Sequence, residues 1–293
     1  SRIASGELTT PEAVAIATDR ALADRATVLQ RPSLRGLING SGVLLHTNAG
    51  RAPLAPLALA AMAAAGAGYN TLELDPATGK RGSRHAHCRP LLRWLTGAED
   101  ALVVNNGAAA VLLAVRALAH GRPVLVARSQ VVEIGGGFRV NEVVATAGCR
   151  LIEVGTTNRT HLRDYRQAFD RQRAAGDPVA AVLVVHRSNF ALVGFTSDPA
   201  LQDVVAAAHQ AGAAVIVDLG SGALHPLPVR PAELPDGSRP AAEPTAAEVV
   251  AAGADVVTFS GDKLVGGPQA GICLGSAACC AEPGSRGRCG VPG

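Results

Sequence analysis

The chain contains only two lysines, and one of them stands where a lysine could do chemistry. Lys80 and Lys263 are the lysines among 27 Lys and Arg residues, so nearly every other cation is an arginine. A lysine amine can lose its proton and form a Schiff base with a carbonyl, whereas a guanidinium stays charged. Lys263 follows the apolar run VVTFS and precedes a glycine pair, which predicts a partly desolvated amine at a strand end. A surface lysine is the alternative.

Two further features fall at predicted strand ends. Asp218 closes the apolar run AAVIVD, where a carboxylate could pair with a protonated pyridine nitrogen. A helix N-cap or a Mg²⁺ ligand is the alternative for this residue. The segment NNGAAA begins with Asn105, Asn106, Gly107 and Ala108 and joins a strand to a small-residue helix, whose free backbone N–H groups could receive a phosphate. A tight turn that serves packing alone is the alternative there.

Two more side chains could complete such a site. Ser260 lies three residues before Lys263 and could add a hydroxyl to the phosphate cup. His186, in VVHRSN, also lies next to a predicted strand end and is a candidate cofactor-binding residue, although it could equally be a turn residue. A Schiff-base lysine, a carboxylate for a pyridine nitrogen and a phosphate cup together predict a site for pyridoxal 5′-phosphate (PLP).

The elements that must position these residues are short β-rich runs that alternate with helical stretches. From residue 101 the runs ALVVN, PVLVA, CRLIEV, AAVLVV, AAVIVD and ADVVTF are separated by stretches such as 107–119 and 199–211. This pattern predicts successive βαβ units and a mostly parallel sheet with helices on both faces. Two earlier helices are predicted over about 11–29 and 54–66. Because ligands gather at the carboxyl ends of such strands, the candidate residues should share one site.

Length and composition agree with this α/β class. The 293 residues leave room for one large α/β domain and a small appendage. With 48% apolar but only 3% aromatic residues, the core should be aliphatic, which suits helices on a parallel sheet. A net charge of +3 is compatible with an anionic substrate or an RNA partner and favours neither.

Cysteine usage and hydropathy predict a cytoplasmic protein. The six cysteines show neither paired CxxC spacing nor a secretory framework, so a reducing compartment is expected. No apolar run reaches about 20 residues and no charged-then-apolar leader opens the chain, so we expect no membrane span and no signal peptide. His85, His87 and Cys88 have no second ligand cluster to join them, so no metal site is predicted.

Several longer motifs resemble those of a known family. LLHTNAGRAPL, RGSR, VVNNGAAAVLLA, VEIGGGFR, IEVGTTNRTHLRDY, VDLGSG and TFSGDKLVGGPQAG are similar to motifs of bacterial selenocysteine synthase, the L-seryl-tRNA(Sec) selenium transferase family. The resemblance runs from about Leu37 to Gly275. It implies a PLP-dependent transferase of fold type I (aspartate-aminotransferase-like), cytoplasmic and homo-oligomeric. The implied reaction converts seryl-tRNA(Sec) to selenocysteinyl-tRNA(Sec) with selenophosphate, through an aminoacrylyl intermediate.

The resemblance also implies roles for single residues. Lys263 would carry PLP and, once freed by the substrate amine, act as the base for the α-proton. Asp218 would pair with the pyridine nitrogen. Arg81 and Arg84 match the arginine-bearing loop of the family and would bind the phosphate of selenophosphate by charge-assisted hydrogen bonds. Solvated loop arginines are the alternative for this pair.

The chain departs from the family pattern at its end. Residues after Gly275 match neither the basic segment nor the carboxyl-terminal small domain of the family, so we expect a truncated chain that lacks this domain. The predicted organisation is a helical segment over 1–36, a PLP-binding large domain over 37–276 and an irregular tail over 277–293. Two alternatives remain: a PLP-dependent β-eliminating lyase acting on a small amino acid or amino sugar, and an inactive tRNA-binding or assembly fragment.

Overall fold

The computed structural model describes residues 10–134, 137–228, 242–276 and 279. The chain divides into two compact units, Ser1–Val43 and Leu44–Gly293. The first unit contains helix α1 (Pro11–Gln30), which confirms the helix predicted over 11–29. Proline stands at the first helical position, where its missing N–H costs nothing, and the Thr10 hydroxyl accepts a hydrogen bond from the Ala13 N–H at 3.1 Å. The domain limits predicted from the sequence stay a prediction.

The second unit begins with short elements before its sheet. A 3₁₀ turn covers Thr47–Ala49, helix α2 covers Pro56–Gly66, a second 3₁₀ turn covers Arg84–His87 and helix α3 covers Arg89–Thr96. Helix α2 agrees with the prediction over 54–66 and, like α1, starts with a proline. Helix α3 ends where Gly97 adopts a left-handed conformation, the usual stop for a helix.

Alternating strands and helices make up the rest of the unit. They are β1 (Asp100–Val104), α4 (Gly107–Ala119), β2 (Pro123–Ala127), β3 (Glu133–Ile134), β4 (Phe138–Arg139), α5 (Val140–Thr146), β5 (Arg150–Val154), α6 (Leu162–Ala174), β6 (Ala181–Val185), α7 (Leu201–Gln210), β7 (Ala214–Gly220), α8 (Ala246–Ala251), β8 (Val256–Ser260) and β9 (Gly271–Gly275). The six strands predicted from apolar runs are all present, as are the helices predicted over 107–119 and 199–211.

Seven strands form one sheet in the order β1-β9-β8-β7-β6-β2-β5. Strand β9 runs antiparallel to its neighbours β1 and β8, whereas the remaining neighbours pair in parallel. Strands β3 and β4 form a separate antiparallel pair. The mostly parallel sheet is therefore confirmed, but β9, β3 and β4 were not predicted.

Helices cover both faces of the sheet, as the sequence predicts. Helices α4 and α5 lie on one face, and α3, α6, α7 and α8 lie on the other. Because side chains alternate along a strand, Val215 and Val217 of β7 pack in the layer that contains Tyr165 of α6, while Ile216 packs in the layer of Val115 of α4. The same alternation assigns the Asp218 side chain to the α4 face.

Two predicted segments lie largely outside the described residues. The irregular loop predicted over 226–244 is described at 226–228 and 242–244 only, and of the predicted tail over 277–293 only Cys279 is described. Within the described ranges, no helix is both long and apolar enough to cross a membrane.

Candidate active site

The sequence-predicted site residues lie along the edge of the sheet where the parallel strands end. Asn106 follows β1, His186 follows β6, and Lys263 follows β8, while Asp218 lies near the end of β7. The loop that carries Lys263 is joined to the turn after β7, because the Leu264 N–H donates to the Ser221 carbonyl at 3.3 Å. The strand ends therefore bring together the residues that the sequence placed at separate βα junctions.

Asp218 is buried, and one of its carboxylate oxygens accepts two hydrogen bonds. Its Oδ1 accepts hydrogen bonds from the Gly220 N–H at 3.1 Å and from the Thr258 hydroxyl at 3.2 Å. The Gly220 N–H can point at Asp218 because Gly220 has a left-handed conformation, with a φ of 65°. The pairing of β7 with β8 shifts register at the same place. No hydrogen bond to Oδ2 occurs within the described part of the chain.

Burial also sets the protonation of Asp218. Desolvation raises the pKa of this carboxyl above its usual value, and the hydrogen bonds from Gly220 and Thr258 oppose the rise. The nearby charges of Lys263 and His186 oppose it further. A positively charged partner at Oδ2 would stabilise the carboxylate in the same way.

Lys263 is half-buried, and its amine loses its proton more readily than a surface lysine. Burial lowers the pKa of Lys263, and the positive charge of Arg51 lowers it further. The carboxylates of Asp218, Asp262 and Glu243 act in the opposite direction. The amine therefore spends more time neutral, which is the form that attacks a carbonyl.

The start of α4 and the end of β8 approach each other closely. Asn106 caps α4, its Oδ1 accepting a hydrogen bond from the Ala109 N–H at 2.8 Å. A Cβ added at Gly107 would lie 2.5 Å from the Ser260 hydroxyl oxygen, so a larger residue there would force the hydroxyl to rotate or the helix to shift. The Ser260 hydroxyl therefore lies beside the first turn of α4, whose N–H groups have no partner within the helix, and the neighbouring Asn105 and Ala108 are exposed.

These features fit PLP. The free Oδ2 of Asp218 matches a pyridine N–H, the amine of Lys263 matches the cofactor aldehyde, and the amino end of α4 with Ser260 matches the phosphate. Each group was predicted from the sequence, and the structure places each at the carboxyl edge of the sheet. Their assignment as cofactor ligands stays a prediction.

His186 reaches the site through its backbone and is held by a residue that the sequence did not indicate. Its N–H donates to the Asp218 carbonyl at 2.8 Å, and its ring Nε2 lies 2.9 Å from Glu243 Oε2. Glu243 lies 57 positions further along the chain, and no spacing or motif signals the pair.

Arg51 and Asp262 form a second pair that sequence reasoning missed. The Arg51 guanidinium donates to Asp262 Oδ2 at 2.6 Å, directly beside Lys263 in the chain. The motif that contains Arg51, LLHTNAGRAPL, resembles a motif of a known family, but nothing in it indicates Asp262 as the partner. Only the fold brings the two segments together.

Arg81 and Arg84 are brought together, but not with Lys263. Both guanidinium groups pair with the Glu73 carboxylate, Arg81 at 2.9 Å and Arg84 more closely. Their side chains are 79% and 61% exposed. In the described residues neither makes a hydrogen bond or ion pair with the Lys263 loop, so their role toward selenophosphate stays a prediction.

A cavity of about 330 Å³ lies beside this site on the other face of the sheet. It is lined largely by apolar side chains, among them Phe190, Leu192, Val217 and Leu219, with His186 at its border. Because Val217 and Leu219 alternate with Asp218, the cavity and the carboxylate lie on opposite faces. Across the ranges described, no group of three or more His, Cys, Asp or Glu side chains is placed to hold a metal ion.

The fold is that of PLP-dependent enzymes of fold type I. Solved structures with the same fold include a D-glucosaminate-6-phosphate ammonia-lyase (TM-score 0.57, 22% identity, covering 79% of this chain and 56% of that chain). A SepCysS–SepCysE N-terminal domain complex also matches (TM-score 0.56, 16% identity, 87% and 59% covered). A serine palmitoyltransferase from S. paucimobilis with bound PLP–myriocin matches at a TM-score of 0.50 (19% identity, 75% and 49% covered). At these identities the likeness concerns the fold.

The chain belongs to the L-seryl-tRNA selenium transferase family, whose family model matches residues 37–282. The L-seryl-tRNA(Sec) selenium transferase of Solidesulfovibrio magneticus is 53% identical over 247 residues, covering 84% of this chain and 50% of the relative. That of Carboxydothermus hydrogenoformans is 50% identical over 244 residues (83% and 49% covered), and that of Moorella thermoacetica 47% identical over 274 residues (94% and 55% covered). This chain thus spans about half the length of these relatives. PLP, the cofactor predicted from the sequence, is the cofactor of the family.

Proposed function

We propose that this chain carries out the PLP-dependent conversion of L-seryl-tRNA(Sec) to L-selenocysteinyl-tRNA(Sec), with selenophosphate as the selenium donor and by the aminoacrylyl route. The observation that carries the proposal is a half-buried Lys263 at the same sheet edge as a buried Asp218, whose Oδ2 accepts no hydrogen bond from the described residues, in a member of this family. Because the relatives are about twice as long, the activity, the substrates and the partners are all part of the proposal.

The residues that would hold the cofactor follow from the fit described above. Lys263 would bind it covalently, Asp218 would accept a hydrogen bond from its ring nitrogen, and His186 would lie beside it. The amino end of α4, from Asn105 to Ala108, and the Ser260 hydroxyl would bind its phosphate. When bound, PLP supplies an electron sink that stabilises negative charge at the α-carbon of the seryl group.

Lys263 would also move the proton in this reaction. Its amine, displaced by the seryl amine, would accept the proton from the seryl α-carbon. The bond between the β-carbon and the hydroxyl oxygen then breaks, and the proton on Lys263 can pass to the departing hydroxyl. Burial supports this role, because it favours the neutral amine that can accept a proton.

Arg81 and Arg84 would bind the phosphate of selenophosphate. Both guanidinium groups are exposed, and both form ion pairs with the Glu73 carboxylate. A phosphate could take the place of Glu73 and receive charge-assisted hydrogen bonds from both arginines.

The proposal includes a cytoplasmic homo-oligomer. Helix α2 is rich in apolar residues, none of which is buried, and Leu57 within it is 86% exposed. Burial of this helix against another copy of the chain would remove that apolar surface from water. A reducing compartment agrees with the free thiols of Cys88, Cys149, Cys273 and Cys279. Light scattering on the purified chain tests the oligomer, and a monomer would refute that part.

The decisive experiment supplies the purified chain with PLP, seryl-tRNA(Sec) and radiolabelled selenophosphate. We expect label on the aminoacyl group of the tRNA, no label with Lys263→Ala, and wild-type labelling with the matched control Lys80→Ala. A chain that binds PLP but never labels the tRNA contradicts the proposal. Release of ammonia from a small amino acid, without any need for tRNA, would instead favour the lyase.

A further inference from the structure

The segment from His46 to Ala52 is hydrogen-bonded to the loop that carries Lys263. It contains the 3₁₀ turn Thr47–Ala49, after which the chain reverses so that the Arg51 N–H donates to the His46 carbonyl at 3.1 Å. The next amide, of Ala52, donates to the backbone carbonyl of Asp262 at 3.3 Å. The segment therefore touches the residue that immediately precedes Lys263.

Arg51 holds an unusual backbone conformation at this point. Its φ of 63° is the only positive value of a non-glycine residue in the described ranges. A left-handed conformation is unfavourable for a residue with a Cβ, and it persists only where surrounding contacts impose it. Such residues cluster at functional sites.

The side chain of Arg51 forms an ion pair with Asp262. Its guanidinium donates to Asp262 Oδ2 at 2.6 Å, and the two side chains are only 26% and 14% exposed. Because the pair is partly buried, dissolved salt screens its attraction less than that of a surface ion pair. Asp262 Oδ1 is buried without a hydrogen-bond partner in the described part of the chain, and Oδ2 accepts its side-chain hydrogen bond from Arg51.

Arg51 is the positively charged group among those that shift the pKa of Lys263. Asp218 from β7, Asp262 from the lysine loop and Glu243 from the segment before α8 are the negative groups. The three carboxylates favour a protonated amine, and Arg51 opposes them.

We propose that Arg51 is a positioning residue for Lys263: through its ion pair with Asp262 it fixes the loop that carries the lysine, and it places a positive charge beside that loop. The inference rests on Lys263 being the cofactor-bearing lysine proposed above. It assigns to the LLHTNAGRAPL motif a role that is electrostatic as well as structural.

The test measures the pH dependence of amine labelling in the protein without cofactor. The chain is treated with an acylating reagent across a pH series, and peptide mass spectrometry follows Lys263, with the exposed Lys80 as the internal reference. The labelling midpoint of Lys263 should rise by about 0.5 to 1 pH unit in Arg51→Gln and fall by a similar amount in Asp262→Asn. Arg51→Lys, which keeps the charge, should stay near wild type.

The matched control is Arg150→Gln, which breaks the ion pair with Asp177 at the opposite edge of the sheet and should leave the midpoint unchanged. Loosening of the loop alone would move the Arg51→Gln and Asp262→Asn midpoints in the same direction, so parallel shifts, or none, overturn the proposal. Circular dichroism verifies that each variant is folded. If Arg51→Gln fails to fold, the downward shift required of Asp262→Asn still decides.

Because labelling needs no cofactor, it separates this inference from the proposed function. If PLP does not attach to Lys263, the proposed function fails, but the labelling midpoints still test the effect of Arg51 on the Lys263 amine. If PLP attaches and the midpoint of Arg51→Gln equals that of wild type, only the role of Arg51 fails.

Discussion

Replacing Gly107 by alanine should weaken the phosphate end of the cofactor site. The added Cβ would lie 2.5 Å from the Ser260 hydroxyl oxygen and 3.6 Å from its Cβ, well inside normal contact for the oxygen. Ser260 is buried at the end of β8, so either its hydroxyl must rotate away or the start of α4 must shift. Overpacking of this kind costs about 1–3 kcal/mol. If the loss falls on binding, PLP affinity should drop by a factor between about five and one hundred.

The assay is a PLP titration followed by absorbance, with thermal unfolding of the cofactor-free protein measured in parallel. Gly68→Ala is the control, because nothing lies within 4 Å of a Cβ at that glycine and its φ is not positive. Adding Ser260→Gly to Gly107→Ala should restore stability without restoring full affinity, since the space returns but the hydroxyl does not. Wild-type affinity and stability in Gly107→Ala would refute the close approach of α4 and β8.

Two further perturbations test other groups of the site. Burial raises the pKa of Asp218 above 3.8, so the stability that this group contributes to the cofactor-free protein should decline as pH rises through the raised pKa. Asp218→Asn should abolish that decline, which urea unfolding across a pH series measures. It should also lower selenium transfer at least about tenfold, since the amide cannot stabilise a charged ring nitrogen. An unchanged pH dependence of stability would contradict the raised pKa of Asp218. Glu73→Gln should lower the KM for selenophosphate because Arg81 and Arg84 lose the competing carboxylate, and a raised KM would show that Glu73 instead positions them.

Much of the fold is legible in the sequence because the parallel strands are buried on both faces. Runs such as PVLVA and VVTFS are apolar throughout, and breakers or helical stretches separate them. Strand β9 escaped prediction because it is a short run bounded by glycines. Its place between β1 and β8 depends on pairing with residues far away in the chain.

In the candidate site, too, the residues marked by local sequence could be predicted and the contacts between distant segments could not. Lys263, Asp218 and Asn106 could be found because each stands at the end of a local apolar run, where a site in an α/β sheet is expected. Arg51 could not be paired with Asp262, because 211 positions separate them and only the folded sheet edge brings them together. The pairing of Glu243 with His186 likewise depends on tertiary structure, as does the unused oxygen of Asp218.

The central claim is that Lys263 carries the cofactor. The direct measurement loads the purified chain with PLP, reduces it with borohydride and maps the modified lysine by peptide mass spectrometry. The reduced pyridoxyl group should be found on Lys263, should persist in Lys80→Ala and should be lost in Lys263→Ala. Modification of Lys80, or a chain that binds PLP with Lys263 unmodified, would contradict the account.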